Sequence, residues 1–264
     1  MSAAPVVIAH VSDLHLGAHD PVAVDTLPAD VAAARPTLTV VTGDITMRAR
    51  VGEFERAVEL VARLPEPRLV VPGNHDVPLD LVVSRFVRPY ARYRAAFGTD
   101  GNTLLRLPGV TALGLNSMPR WRWKNGRVTG GQANAVVATL GPPDPSAVEH
   151  GPVRLLALHH PPFVRGSARL VGRAGLVAAL VDARVDLVLA GHVHIPRTRA
   201  VDLAHGGRGH RLVEVVAGTA TSRRTRGVGR SWSLIVVDDR AVEVRERHQC
   251  GDGWRTVATA RFDR

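Results

Sequence analysis

The sequence VVIAHVSDLH at residues 6–15 joins a mostly apolar run to the polar side chains Asp13 and His15. A short apolar run of this kind predicts a strand that is buried on both faces. Similar runs recur along the chain, at Thr37–Val41, Arg68–Val71, Thr111–Leu115, Val153–Leu158, Asp186–Ala190 and Leu212–Ala217. The pattern therefore predicts a sheet in which polar side chains follow the ends of several strands.

Segments with helical spacing lie between these predicted strands. Apolar residues recur at that spacing in Gly52–Leu64 and Ala174–Ala183, and a shorter alanine-rich piece, Ala29–Ala34, ends before Pro36. Strands that alternate with helices indicate βαβ crossovers and a mostly parallel sheet.

The last third of the chain has a different pattern. Apolar and charged residues alternate there, which suits antiparallel strands with one wet face. The predicted strands are Ser231–Asp238, Ala241–Arg247 and Thr256–Arg261. We therefore expect an α/β fold, namely a four-layer αββα sandwich of two packed mixed sheets flanked by helices, with a C-terminal antiparallel hairpin. We expect a single domain over residues 1–264, in which residues 77–150 form a cap or loop region that walls the site.

Composition and charge narrow the classes of function. Hydrophobic residues make up 45% of the 264 residues, which is typical of a globular protein and argues against disorder. No apolar stretch approaches the roughly 20 residues that span a bilayer. Cys250 is the only cysteine, and the segment Met1–Ala9 lacks a basic region, so we expect a cytoplasmic protein without a secretory signal. The net charge of +10 is carried by scattered arginines, which favours solvated faces over a nucleic-acid partner.

Six short polar motifs follow the predicted strands. They are Asp13-Leu14-His15, Gly43-Asp44, Gly73-Asn74-His75-Asp76, His159-His160, Gly191-His192 and His194. The steps from Asp13 to Asp44 and from there to Asn74 are 31 and 30 residues. The step from His159 to His192 is 33 residues. Because one βαβ unit has about 30 residues, each step returns the chain to the same edge of the sheet, where ligands bind in α/β folds.

The residue types in these motifs are metal ligands. Carboxylates, one amide oxygen and several imidazoles, with no thiolate, suit Mn, Fe or Zn better than Ca, Mg or Cu(I). In an Asp-x-His or His-x-His pair on an extended segment, both side chains point the same way. A bridging carboxylate would hold two ions about 3.5–4 Å apart.

From Val6 to Thr221 the order of these motifs resembles that of the calcineurin-like metallophosphoesterases, and in particular their bacterial cyclic-nucleotide and glycerophosphodiester phosphodiesterase branch. The resemblance implies two divalent or mixed-valence metal ions. It implies that the first is held by Asp13, His15, Asp44 and His194. It implies that the second is held by Asp44, Asn74, His159 and His192, with His160 as the alternative to His159.

The resemblance also implies a reaction. A hydroxide that bridges the two metals would attack phosphorus in line, and His75 would donate a proton to the leaving group as general acid. Asp76 would orient His75 or raise its pKa, or it would instead cap the segment that follows. The expected substrate is a small phosphate ester, with a nucleotide as one candidate. The alternatives are a metal-dependent nuclease and an inactive interaction scaffold of the same fold.

Arginines and aromatic residues near these motifs are candidates for substrate contacts. Arg197, and Arg223 within Ser222-Arg223-Arg224, could each clamp a phosphate, although a solvated face is the alternative for both. The cluster Trp121-Arg122-Trp123 could stack on a base or anchor a loop by a buried tryptophan. A strand near the C-terminus could pair across a two-fold axis, which makes a homodimer possible.

Overall fold

The computed structural model of the protein describes residues 4–79, 82–141, 151–164 and 170–264. Within these residues the chain forms two six-stranded mixed sheets. The strands, numbered along the chain, are β1 (Val6–Val11), β2 (Leu38–Thr42), β3 (Arg68–Val71), β4 (Leu104–Leu107), β5 (Val110–Leu115), β6 (Val153–Leu158), β7 (Leu187–Ala190), β8 (Arg197–His205), β9 (Arg208–Val216), β10 (Ser231–Val237), β11 (Ala241–Cys250) and β12 (Gly253–Asp263).

The first sheet has the strand order β12-β11-β10-β1-β2-β3. The strands β1, β2 and β3 are parallel, with Ile8 opposite Leu38 and Thr39 opposite Arg68. Helices α1 (Pro21–Ala33) and α2 (Val51–Ala62) make the crossovers between them. The C-terminal strands β10, β11 and β12 are antiparallel and join this sheet through β1.

The second sheet has the strand order β4-β5-β6-β7-β9-β8. Its four inner strands are parallel, and its two edge strands are antiparallel to their neighbours. Helices α5 (Gly130–Leu140) and α6 (Arg173–Asp182) cover its outer face. Helices α3 (Val82–Val87) and α4 (Ala91–Phe97) precede β4. The region 77–150 thus supplies strands β4 and β5 of this sheet as well as loops, and its residues 142–150 lie outside the described part of the chain.

Three apolar layers hold the sandwich together. The layer between the two sheets contains Ile8, Leu155 and Leu189, all fully buried. A second layer lies between the first sheet and its helices, and a third between the second sheet and α5 and α6. Burial of one such side chain contributes about 1.5–3 kcal/mol. The architecture is therefore helix, sheet, sheet, helix, as the sequence predicts.

The first helix is longer than the sequence pattern indicates. Only Ala29–Ala34 is predicted, whereas α1 begins at Pro21 and contains Pro28. The Asp20 side chain caps it, because its Oδ1 accepts from the Ala23 amide at 3.0 Å. A proline at the first helical position needs no amide hydrogen there. None of the described helices combines the length and the apolar character needed to cross a bilayer.

Candidate metal centre

The carboxyl ends of the inner strands of both sheets meet at one site. Asp13 and Asp44 each lie two residues beyond the ends of β1 and β2, and Asn74 lies in a short 3₁₀ turn after β3. From the other sheet, His159 follows β6 directly and His192 lies two residues beyond β7. The parallel pairing of these strands places the polar residues at the same edge, as the near-30-residue spacing predicts.

A first group consists of Asp13, His15, Asp44 and His194. One ligand atom from each of these four side chains lies within 4.8 Å of the others, and all four are buried. The Nε2 atom of His194 is 3.1 Å from Asp13 Oδ1. The Nε2 atom of His15 is 3.7 Å from Asp13 Oδ1 and also 3.7 Å from Asp44 Oδ2. A single ion would fit among these atoms.

A second group lies on the other side of Asp44. Asn74 Oδ1 is 3.2 Å from His159 Nε2 and 3.0 Å from His192 Nδ1. His159 Nε2 is in turn 3.4 Å from Asp44 Oδ1. Asp44 therefore presents Oδ2 to the first group and Oδ1 to the second, which is the arrangement that a bridging carboxylate requires.

Five of these residues have a positive φ angle, which is a strained backbone conformation for a residue other than glycine. The φ angles are 52° at Asp13, 49° at His15, 48° at Asp44, 72° at His192 and 62° at His194. The left-handed region is unfavourable for residues with a Cβ, and such outliers cluster at functional sites. The fold therefore holds these five residues against their local preference.

Two glycines allow the carboxylates to come close to the neighbouring strand ends. A Cβ on Gly73 would lie 2.2 Å from Asp44 Oδ1, and one on Gly191 would lie 2.5 Å from Asp13 Oδ2. Either contact is far shorter than van der Waals distance. Any larger residue at these two positions would therefore displace a carboxylate of the site.

Hydrogen bonds to backbone carbonyls orient two of the imidazoles. His159 Nδ1 donates to the Thr42 carbonyl at 2.8 Å, and His194 Nδ1 donates to the Arg224 carbonyl at 2.7 Å. With Nδ1 used in this way, Nε2 of each ring faces the site and could bind a metal once it has lost its proton. This is the usual outer-sphere support of a metal-ligating histidine.

The adjacent His160 also lies within ligand distance of His159 and His192, but its ring nitrogens have other partners. Its Nδ1 is 2.8 Å from Ser117 Oγ, and its Nε2 donates to the Lys124 carbonyl at 2.9 Å. Burial holds the pKa of His160 well below its usual range. His160 thus packs behind the second group, while the Nε2 of His159 points into it.

The charges of the site favour ionised carboxylates. Burial alone would raise the pKa of Asp13, but the neighbouring imidazoles of His15 and His194 hold it below its usual range. The pKa of Asp44 is likewise held well below its usual range by His159, against the effect of burial. Asp44 in turn raises the pKa of His159 to about 9, although burial opposes this. Ionised carboxylates are the form that binds a cation.

His75 lies beside both groups without belonging to either. Its Nδ1 donates to the Met47 carbonyl at 2.6 Å, and its amide donates to Asp44 Oδ1 at 2.8 Å. Its Nε2 lies 3.4 Å from Arg224 Nη1. Burial is the main cause that lowers the pKa of His75. Since Nδ1 is bonded to the Met47 carbonyl, Nε2, beside Arg224, is the nitrogen left to contact a substrate.

Asp76 contacts the loops around the site. Its carboxylate accepts from the amides of Gly73 at 2.8 Å, Ile45 at 3.1 Å and Thr46 at 2.8 Å. Burial, and next the charge of Asp44, raise the pKa of Asp76 to about 6. These bonds tie the Asp44 loop to the turn at residues 74–76, and the orientation of the His75 ring comes from Met47.

The two arginines that the sequence predicts to contact the substrate, Arg197 and Arg223, have different surroundings. Arg197 is on β8, where its Nη2 donates to the fully buried Glu214 at 3.1 Å. The side chain of Arg223 is exposed. The arginine beside His75 is its neighbour Arg224, which belongs to the same predicted stretch, Ser222-Arg223-Arg224.

The buried carboxylate, amide and imidazole groups of the site are better explained by a bound metal than by a metal-free site. Asp13 Oδ1 and His15 Nδ1 are buried without a hydrogen-bond partner among the described residues. An ionised carboxylate oxygen in that situation is costly unless a cation compensates it. Imidazole, carboxylate and amide donors together are a set that Mn, Fe and Zn accept.

Comparison with known proteins agrees with this geometry. The family model described as calcineurin-like phosphoesterase matches residues 6–196. A probable cyclic nucleotide phosphodiesterase of Synechococcus sp. is 27% identical over 202 residues, which cover 71% of this chain and 72% of that protein.

Solved structures of low sequence identity share the fold. The purple acid phosphatase PPD1 from yellow lupin seeds superposes with a TM-score of 0.71 at 11% identity, over 99% of this chain and 54% of the lupin chain. The chain thus spans about half the length of that enzyme. PhoD superposes with a TM-score of 0.65 at 12% identity, over 100% of this chain and 70% of the PhoD chain. With the family match, the two His/Asp groups indicate a dinuclear divalent metal site, and the chain belongs to the calcineurin-like phosphoesterase family.

Proposed function

We propose that this protein is a dinuclear metal-dependent phosphodiesterase that hydrolyses a small phosphate ester. The observation that carries the proposal is the position of Asp44 between the two buried ligand groups. His75 lies beside them, with its Nδ1 bonded to the Met47 carbonyl and its Nε2 not bonded there. The similarity to a probable cyclic nucleotide phosphodiesterase supports a diester, and makes a nucleotide one candidate substrate.

The proposed ligands follow the two groups of side chains. The first ion takes Asp13, His15, Asp44 and His194. The second takes Asp44, Asn74, His159 and His192. The metals we propose are Mn, Fe or Zn, since availability selects among ions with the same donor preference.

Two ions bound there would supply Lewis-acid polarisation of the phosphoryl oxygens and activation of a water molecule. The residues of the chain do the rest. In its doubly protonated form His75 gives the Nε2 proton to the leaving oxygen, while its Nδ1 proton stays bonded to the Met47 carbonyl. Arg224, 3.4 Å from that Nε2, stabilises negative charge on the phosphoryl group. Asp76 acts as a positioning residue, because it fixes the Asp44 loop against the turn that carries Asn74 and His75.

Ion pairs on the surface argue against the nuclease alternative. Several arginines are paired with carboxylates in the described part of the chain, for example Arg208 with Asp182 and Arg247 with Asp30. A nucleic-acid track would need a continuous run of unpaired cations. The cytoplasmic location, the homodimer and the single domain stay predictions.

A kinetic comparison tests the function. The purified protein is assayed with Mn²⁺, Fe²⁺ or Zn²⁺ on bis(p-nitrophenyl) phosphate and on p-nitrophenyl phosphate. We expect metal-dependent turnover with a higher kcat/KM for the diester. Absence of metal-dependent turnover of both esters would remove the proposal, and a preference for the monoester would make the protein a phosphatase.

The two adjacent histidines should differ in their effect on metal content. His159→Ala removes a proposed ligand, so we expect about one ion per chain and a loss of activity of at least about tenfold. In His160→Gln the side-chain amide can still hydrogen-bond to Ser117. Because this variant removes no proposed ligand, we expect it to bind two ions per chain. Metal analysis of the dialysed proteins measures this. The reverse result would make His160 the ligand.

A further inference from the structure

The loop that follows β5 carries two exposed tryptophans. Trp121 is 52% exposed and Trp123 is 49% exposed. Tryptophan normally buries most of its large apolar surface, so neither ring anchors the loop by its own burial. A half-exposed tryptophan whose ring is held in place offers a flat apolar surface on which a planar group can stack.

Trp123 is held in place by a buried cation. The guanidinium carbon of Arg85 lies 4.3 Å from the centroid of the Trp123 ring. Arg85 itself is fully buried. Its N–H groups donate to backbone carbonyls, at 2.9 Å to Arg120 and 3.0 Å to Pro78, and also to Arg122.

These bonds join two segments that flank the metal centre. Pro78 follows the turn at residues 74–76, and Arg120 and Arg122 belong to the tryptophan loop. Burial of a guanidinium is costly, and carbonyl acceptors compensate it without neutralising its charge. The arrangement fixes one face of Trp123 against Arg85 and leaves the ring half exposed. A rigid aromatic surface of this kind loses little entropy when it binds a planar group.

The Trp123 loop contacts His160, the histidine that packs behind the second ligand group. The carbonyl of Lys124, the next residue, accepts from His160 Nε2 at 2.9 Å. The His160 ring is 4.6 Å from the His192 ring and 4.9 Å from the His159 ring, measured between centroids. The Cα atom of Trp123 is about 3.8 Å from that of Lys124, as for any adjacent residues. Trp123 is therefore adjacent in sequence to the residue whose carbonyl contacts His160.

We propose that Trp123 is the platform on which the nucleobase of a nucleotide ester stacks, and that Arg85 is the positioning residue that holds it. The inference rests on the proposed function, since it places the phosphate of the same substrate at the metal centre. The Trp123 ring has one face over a cation and an exposed surface for a base, and such stacking tolerates any base. Trp123 thus selects nucleotide esters over aliphatic ones.

Trp121 provides a matched control on the same loop. It is exposed to a similar degree, but it lies 5.9 Å from the guanidinium carbons of Arg120 and Arg127 and lines a cavity with Pro89 and Gln132. Its replacement removes the same chemical group without touching the Arg85–Trp123 pair.

The Mn²⁺-loaded enzyme and its Trp123→Leu, Trp123→Phe and Trp121→Leu variants test the platform. The substrates are 3′,5′-cyclic AMP and the base-free diester glycerophosphoethanolamine. We expect Trp123→Leu to raise KM for the nucleotide by about 5- to 100-fold with kcat unchanged, and to leave both constants for the base-free diester as they were. Trp123→Phe should recover most of the loss, and Trp121→Leu should behave as the parent protein.

A binding measurement separates this inference from the proposed function. We expect AMP, but not ribose 5-phosphate, to quench tryptophan fluorescence of the parent protein, and the quench to be lost in Trp123→Leu. If the parent protein hydrolyses neither diester, the proposed function fails and the quench alone decides the platform. The proposed role of Trp123 would be overturned by a quench that survives in Trp123→Leu. It would also be overturned by an unchanged KM of that variant for the nucleotide, or by an equal rise in KM for both substrates.

Discussion

Asp44→Asn should lower kcat/KM for a phosphodiester by at least about a hundredfold and reduce the metal bound per chain. Asp44 is the side chain that the two groups share, with Oδ2 3.7 Å from His15 Nε2 and Oδ1 3.4 Å from His159 Nε2. An asparagine presents one neutral oxygen where the carboxylate presents two charged ones. It can serve one ion weakly, but it cannot bridge two.

The fold should survive this substitution. An asparagine has nearly the same volume, and its Oδ1 can still accept from the His75 amide, which donates to Asp44 at 2.8 Å. Asp25→Asn makes the same chemical change on an exposed face of α1 and serves as the control. Thermal melting, metal analysis and steady-state kinetics on both variants measure the effect. Two tightly bound ions and normal turnover in Asp44→Asn would show that another residue bridges.

His75→Gln should lower kcat by about 10²- to 10⁴-fold for a diester with an alkoxide leaving group, with the metal content unchanged. An alkoxide needs a proton as it leaves. Of the two His75 ring nitrogens, Nε2 is the one that is not bonded to the Met47 carbonyl. The Nδ1 atom is fixed on the Met47 carbonyl at 2.6 Å. A p-nitrophenolate leaves without a proton, so the same variant should lose far less activity on bis(p-nitrophenyl) phosphate.

The dependence on the leaving group separates this role from a structural one. If His75 only supported Asp44 through its backbone amide, both substrates would lose activity equally, or neither would. His205→Gln, at an exposed position on β8, is the control for the substitution itself. An equal loss on the two substrates would contradict the assignment of His75 as general acid.

The buried strands of the fold could be predicted because their signal is local. The apolar run Val153–Leu158 coincides with β6, since an inner strand of a sandwich must be apolar on both faces. The run Arg68–Val71 coincides with β3, an edge strand whose residues are nevertheless mostly buried. The edge strands β4 and β8 were not predicted. Most residues of β8 are polar and at least partly exposed, and it forms a strand because β9 offers it a pairing edge.

Helix α5 was missed although a local signal is present. Thr129 and Gln132 form a capping box, in which the Gln132 amide donates to Thr129 Oγ1 at 3.2 Å. The two glycines that begin the helix, Gly130 and Gly131, weaken the periodic pattern. A search for caps, and not only for apolar periodicity, would have found this element.

The positions of the candidate site residues could be predicted, and their orientations could not. Spacing of about 30 residues brings Asp13, Asp44 and Asn74 to one sheet edge. Which ring nitrogen faces the site depends on carbonyls distant in sequence, such as Thr42 for His159. The same holds for Arg224, which reaches His75 across 149 positions of sequence. Contacts of that range are set by the packed fold.

The most direct test of the central claim is a titration of the metal-free protein with Mn²⁺ while the hydrolysis of bis(p-nitrophenyl) phosphate is followed. We predict that activity rises until two ions are bound per chain and then stays constant, because both ligand groups must be filled around Asp44. Activity that is complete at one ion per chain would contradict a dinuclear site. Two bound ions without hydrolysis of the diester would contradict the phosphodiesterase.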